Sequence, residues 1–205
     1  MNWRSHLRPI ASFPVFSPLE LLWAFIGLIL TIGGTFIEAF VAGVPFSWAT
    51  PVSLGVNWQI GAVLLVGCLG GQNAASISQI AYLLLGLTWF QIFTYGGGTG
   101  YIFEPTFGYL LGFVPGAWIC GALAFRLPRR LESLALSCLC GLATIHLTGI
   151  TYLVLSHLLN DASTQRFSTL LGQLFNYSLV PIPGQMALVC AVTVIAFCLR
   201  HLMLY

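Results

Sequence analysis

The chain has 205 residues, of which 58% are hydrophobic and only 6% charged, with a formal net charge of +2 and a mean hydropathy of +0.93. A water-soluble domain of this size carries charge on roughly a quarter of its residues. A bilayer is therefore the expected solvent, most soluble enzyme classes are excluded, and the length suits one domain of five or six membrane-crossing helices.

Residues 1–18, with Pro9, Pro14 and Pro18, read as a short cytoplasmic lead-in. The apolar segment that follows is too long for a cleavable signal and lacks an A-x-A-like cleavage site. Six apolar segments are predicted to span, at 19–43, 57–71, 73–93, 107–127, 131–158 and 179–204. Each is judged against the ~20 helical residues that cross ~30 Å of hydrocarbon; the second is short and interrupted by glycine.

Between the first two, Gly43, Pro45, Pro51 and Gly55 break any regular helix, so 42–55 is expected to form an outer loop. A tight turn through Gly70-Gly71-Gln72-Asn73 separates the second and third spans. The stretch from Phe93 to Tyr101 is the least helical, with Gly96, Gly97, Gly98 and Gly100 allowing close backbone approach. It carries no basic residue, which excludes a phosphate cradle of the GxxxxGK[ST] kind. It reads either as a flexible loop or as a loop covering a ligand at the outer face.

The fourth span places Gly108, Gly112, Gly116 and Ala117/Gly121 at helix-packing intervals, a pattern shared by Gly67/Gly71 and Ala39/Gly43. Such faces let helices approach closely, either within the bundle or as docking surfaces for another membrane subunit. In 160–178, Phe167, Leu170, Leu171, Leu174 and Phe175 fall on one helical face. That spacing predicts an interfacial helix on the outer surface, in the manner of a lid.

All seven basic residues are Arg. Arg4, Arg8, Arg126, Arg129, Arg130 and Arg200 lie together inside if both termini are cytoplasmic, as the positive-inside bias requires; Arg166 alone lies outside. Cys68, Cys120, Cys138, Cys140, Cys190 and Cys198 all sit in apolar helical stretches. They read as small hydrophobic filler, and no metal site or cofactor is expected.

Catalysis finds little support. There is no HExxH and no Gly-x-Ser-x-Gly, and Glu20, Glu38, Glu104, Glu132 and Asp161 fall at helix ends or in loops. His146, deep in the fifth span, is the ionisable group nearest the hydrocarbon centre, a functional candidate by default. Neutral, it satisfies itself by hydrogen-bonding across helices. The outer half gathers Trp58, Gln59, Gln91, Tyr95, Tyr101, Glu104, Tyr109, Asn176 and Gln185. Neutral hydrogen-bonding groups between aromatic walls suit a small, mostly uncharged ligand.

Several stretches, taken in order, resemble the BioY family, the biotin-specific S components of energy-coupling factor transporters. They are Trp58-Gln-Ile-Gly-Ala-Val-Leu-Leu-Val-Gly67, Ala81-Tyr-Leu-Leu-Leu-Gly-Leu87, the glycine loop 96–100 and Pro105-Thr-Phe-Gly-Tyr-Leu-Leu-Gly-Phe113. His146-Leu-Thr-Gly149-Ile-Thr-Tyr152 and Pro181-Ile-Pro-Gly184 extend the resemblance over roughly residues 20–200. It implies an all-α, six-helix S-component bundle in the cell membrane, a single substrate-binding domain over 1–205 with both termini cytoplasmic. It implies a non-enzymatic subunit that takes biotin from outside. An energy-coupling transmembrane subunit and two ATPase subunits would supply the work. A homo-oligomer stays open, and no nucleic-acid partner is expected.

Matching the family's pattern residue by residue gives Gln59, Tyr82, the glycine loop (Gly97, Gly98, Gly100) and Tyr109 as candidate binding residues. Gln91, Glu104, Arg166 and Gln185 complete the set. The family often reads Pro-Gly-Asp-x-x-Lys at the start of its last helix, where this chain has Gly184, Gln185 and Leu188. Gln185 still offers a donor and an acceptor; Leu188 offers no charge, so if the family's Lys steadies the ligand's carboxylate or another subunit, either Arg166 substitutes for it or the task is lost. On this reading Gln59 and Gln185 bond the ureido edge and the valerate chain points outward towards Arg166. Rival readings are an S component for another vitamin or precursor, a ligand-free membrane assembly protein, and an intramembrane enzyme using His146.

Overall fold

The computed structural model describes residues 17–41, 51–88, 90–159 and 165–203, with the side chains of 165–168 outside the description. Helix α1 runs Pro18–Phe36. Its start is a capping box: the Ser17 hydroxyl accepts from Glu20 N at 3.2 Å while Glu20 Oε2 accepts from Ser17 N at 2.9 Å. Two helix-end donors that lipid cannot satisfy are thereby covered.

The helix stops at Phe36 rather than continuing to 43, because Ile37 is already extended. Strands β1 (Glu38–Val41) and β2 (Val52–Asn57) then pair antiparallel, Val41 opposite Val52 and Glu38 opposite Asn57. The expected loop at 42–55 is thus partly a sheet. Ile37, Phe40, Val41, Val52 and Val56 favour extended backbone, and pairing satisfies its polar groups; residues 42–50 lie outside the described residues.

Helix α2 (Gln59–Thr88) is broken at Gly71, whose φ of 80° and ψ of 178° are outside helical geometry and ill-suited to a side chain. Gln59 Nε2 donates to Tyr82 Oη at 2.8 Å although 23 residues separate them. A straight helix would hold them roughly 35 Å apart, so the chain doubles back at Gly71 into legs 59–70 and 72–88. The second leg ends at Thr88, short of the expected 93. A short 3₁₀ turn (Thr99–Phe103) follows. Then come α3 (Phe107–Arg126), α4 (Leu131–Leu159), α5 (Gln165–Leu174), which continues as a π turn over Phe175–Leu179, and α6 (Ile182–Leu202). Five helical segments among the described residues are long and apolar enough to cross a membrane.

The helix ends sort onto two faces. On one, Asn73 Nδ2 donates to Glu20 Oε1 at 2.9 Å, Gly121 packs on the Gly71–Gln72 turn, and Arg200 donates to the carbonyls of Cys68 and Ala124 at 2.7 and 2.8 Å. The start of α1, the α2 turn and the ends of α3 and α6 therefore share this face, from which the exposed Arg126, Arg129 and Arg130 project. On the other face lie the end of α1, both ends of α2, the starts of α3 and α6 and the end of α4: Thr35, Gln59, Tyr82, Tyr109 and Ser178 are linked there by hydrogen bonds, and Tyr152 donates to the Ile102 carbonyl.

Small residues make these approaches, and they do so inside the bundle. A Cβ at Gly112 would stand 2.8 Å from Ile145 O, one at Gly116 2.6 Å from the Ile145 side chain, and one at Gly67 3.1 Å from Cys120 Sγ. The small-residue faces of α2 and α3 are thus consumed by internal packing, and on α1 Gly27 and Gly34 pack on α2 as well. The open alternative of docking through those faces is closed for these glycines; on α1, Gly33 meets nothing within 4 Å.

Candidate functional site

At the face away from the arginines a cavity of about 320 Å³ opens, within the range of roughly 300–1,000 Å³ usual for small-ligand sites. Its floor and sides come from Gln59 and Ile60 of α2, Tyr109 and Phe113 of α3, Gln185 of α6 and Tyr177 of the π turn. Its rim comes from Gly55–Asn57 of β2 and from Thr94 and Tyr95. No Arg or Lys lines it among the described residues. It is an aromatic-walled space with neutral polar groups.

Both glutamines are buried, Gln59 at 8% and Gln185 at 5% relative exposure. A buried amide costs free energy unless its groups are paired, and each has one group held by a partner behind the cavity wall. Gln59 Nε2 donates to the Tyr82 hydroxyl. That hydroxyl donates to Ile92 O at 2.9 Å and stands 3.1 Å from Thr35 Oγ1. Gln185 Oε1 lies 2.6 Å from His146 Nε2, and His146 Nδ1 is buried without a partner. An unpaired lone pair costs less than an unpaired N–H, so the network assigns the proton to Nε2, which donates to Gln185. Gln59 therefore has its oxygen free for the cavity, and Gln185 its amino group. One acceptor and one donor face the same space.

Tyr109 is set by what lies around it. Its hydroxyl is 2.5 Å from Ser178 Oγ, and its ring meets His146 edge-on at 5.8 Å between centroids. Gly149 leaves the room: a Cβ there would fall 2.6 Å from Tyr109 Cγ. Tyr101 also lines the cavity, with its hydroxyl 3.2 Å from Thr106 Oγ1. Burial pushes its phenol above the ordinary value, so the group is present as O–H.

The glycine loop is folded over the site's edge. Phe93 and Gly96 exchange backbone hydrogen bonds at 2.9 and 3.1 Å, and Gly98 N donates to Gly86 O at 2.7 Å. Gly96 and Gly98 have φ of 120° and 92°, conformations that favour glycine. Phe93, 1% exposed, is wedged between Tyr82 and Tyr101 at ring distances of 5.3 and 4.7 Å. The loop is thereby anchored, with Thr94 and Tyr95 at its tip reaching the cavity.

Of the residues expected at the site, Gln59, Tyr109 and Gln185 line the cavity and Tyr82 stands directly behind Gln59. Gln91, Gly97, Gly98, Gly100 and Glu104 are not among its lining residues; Gln91 and Glu104 are exposed on the flanking loop. Arg166 lies in α5, and its side chain is outside the described residues. Leu188 is 2% exposed, packs with Ala39 and Val56, and is not among the cavity's lining residues. Sequence reasoning missed Asn57, Thr94, Thr106 and Tyr177. Asn57 had a signal, since a polar residue just before an apolar span needs a partner; its Nδ2 donates to Thr35 O at 2.8 Å.

The bundle and its cavity define a polytopic helical membrane protein with a ligand-sized, neutral pocket at one face. Comparison with known proteins narrows this class. The chain matches the BioY family over residues 12–204 and belongs to it. It is 35% identical over 140 residues to a probable biotin transporter BioY of Lysinibacillus sphaericus, covering 67% of this chain and 65% of that protein. It is 25% identical over 186 residues to an uncharacterized 21.2 kDa protein of Cyanophora paradoxa, covering 89% of this chain and 95% of that one. The fold is similar to a crystal structure of the S-component for biotin from an ECF-type ABC transporter. That match has a TM-score of 0.61 at 21% identity and covers 89% of this chain and 88% of that one.

Proposed function

We propose that this chain is the membrane subunit that captures biotin from outside the cell and delivers it with an energy-coupling module. Family membership and the fold support the class of function. Within that class, one observation favours biotin: two buried glutamines share the cavity, one offering an acceptor and the other a donor. A cyclic urea presents the complement, an N–H beside a C=O. Gln59 Oε1 would accept the ureido N–H and Gln185 Nε2 would donate to its carbonyl, with Tyr109 and Tyr101 beside the fused rings. An analogue lacking either group would leave a buried partner unpaired, at a cost of about 1–3 kcal/mol.

The two faces support a membrane arrangement. If each leg of α2 crosses separately, the crossings number six, which would return the last helix to the face where the first begins. The exposed arginines on that face support a cytoplasmic assignment by the positive-inside bias, which would open the cavity outward in the cell membrane. Arg166, on α5, is our candidate for meeting the valerate carboxylate; Gln91, Glu104 and the loop glycines would act at the rim rather than in the pocket. The chain acts as a binding subunit and not as an enzyme, so a transmembrane coupling subunit and two ATPases would power uptake. Extraction of the protein purified from biotin-fed cells, followed by mass analysis, tests the ligand: biotin at near one per chain is expected, and another vitamin in its place would overturn the assignment.

A further inference from the structure

Three cysteines from three helices meet in the core near the arginine-bearing face. Cys68 of α2, Cys120 of α3 and Cys138 of α4 are each 0% exposed, and all three sulfurs lie within 4.8 Å of one another. Cys68 Sγ is 3.8 Å from Cys120 Sγ and 3.5 Å from Cys138 Sγ. Thiolates about 2.3 Å from a central ion in a trigonal plane sit about 4 Å apart, so the triangle already has nearly the right size. No rearrangement of helices is needed to fill it.

A further feature points to a cation with a net anionic ligand set. Arg200, 7% exposed, lies between the helices that carry Cys68 and Cys120, held by the carbonyls of Cys68 and Ala124, and its Nη2 is buried without a partner. A buried guanidinium short of a partner is costly unless a negative charge accompanies it.

We propose that Cys68, Cys120 and Cys138 form a three-thiolate site for a thiophilic divalent d¹⁰ cation of the zinc and cadmium class, with Arg200 as its counter-charge. Loading follows M²⁺ + 3 RSH → [M(SR)₃]⁻ + 3 H⁺, with the three protons released to solvent. The complex carries one negative charge and Arg200 one positive charge, so the buried unit is neutral. Soft thiolate ligands select such ions over magnesium or calcium. Because the ion would tie α2, α3 and α4 together, it would act as a structural clamp remote from the ligand cavity.

The test uses the full chain in detergent with Cys140, Cys190 and Cys198 replaced by Ala, so that only the trio remains, titrated with Cd²⁺. Expected are one Cd²⁺ per chain, an ultraviolet sulfur-to-cadmium charge-transfer band, release of three protons and a rise in unfolding temperature. Cys138→Ser should abolish the band, and Arg200→Met should weaken binding on the order of tenfold or more. Near-ultraviolet circular dichroism identifies variants that fail to fold, and Cys120→Ser then replaces Cys138→Ser. The proposal is overturned if the folded protein shows no charge-transfer band, or if Cd²⁺ binding persists undiminished in a folded Cys-to-Ser variant.

Discussion

His146 Nε2 stands 2.6 Å from Gln185 Oε1, on helices whose contact brings together residues 39 apart in sequence. The bond decides which end of the Gln185 amide the cavity sees. With the oxygen occupied by His146, only the amino group is left for a ligand.

His146→Leu should therefore release Gln185 to rotate. Biotin affinity is expected to fall about tenfold, the equivalent of about 1.4 kcal/mol and one hydrogen bond. The sharper readout is selectivity: preference for a ureido carbonyl over the corresponding imine analogue should shrink, and His146→Gln, which keeps a donor, should restore part of it. Competition binding with the two ligands measures both.

Gln59 is held in the same way by Tyr82. Gln59→Leu removes the acceptor and should weaken biotin binding by about 10- to 100-fold. Tyr82→Phe keeps the acceptor but loosens its hold, so a smaller loss is expected. Unchanged affinity in Gln59→Leu would remove this residue from the site.

Glycine substitutions separate packing from empty space. Gly149→Ala pushes a methyl into the Tyr109 ring, whereas Gly33 faces nothing within 4 Å. Overpacking of this kind costs about 1–3 kcal/mol, so thermal unfolding should drop for Gly149→Ala and stay near the parent for Gly33→Ala. Biotin affinity should fall with Gly149→Ala as well, because Tyr109 forms a cavity wall.

Orientation is open to direct labelling. In a cysteine-free background, Tyr95→Cys should react with a membrane-impermeant maleimide added outside, and biotin should protect it. Arg130→Cys should react only after the cells are opened. The reverse pattern would place the cavity on the cytoplasmic side.

Much of this was legible in the chain. Hydropathy located the long apolar helices, because a helix in lipid satisfies its own backbone, and the double glycine at Gly70-Gly71 marked the reversal that the Gln59–Tyr82 bond demonstrates. The small-residue steps were visible too, but periodicity does not say which neighbour fills them; Ile145 and Cys120 do so from elsewhere in the chain. The β hairpin was hidden because Ile37–Val41 is apolar enough to read as more helix. Tyr177 and the cysteine trio were hidden for one shared reason: their partners are remote in sequence, and only the packing of α2, α3, α4 and α6 brings them together.

Equilibrium binding of labelled biotin to the purified protein in lipid nanodiscs tests the central claim most directly. Saturable one-to-one binding, lost in the Gln59→Leu/Gln185→Leu double variant while the protein stays folded, is the predicted result. Absence of saturable binding by the folded parent chain, or binding indifferent to both glutamines, would contradict it.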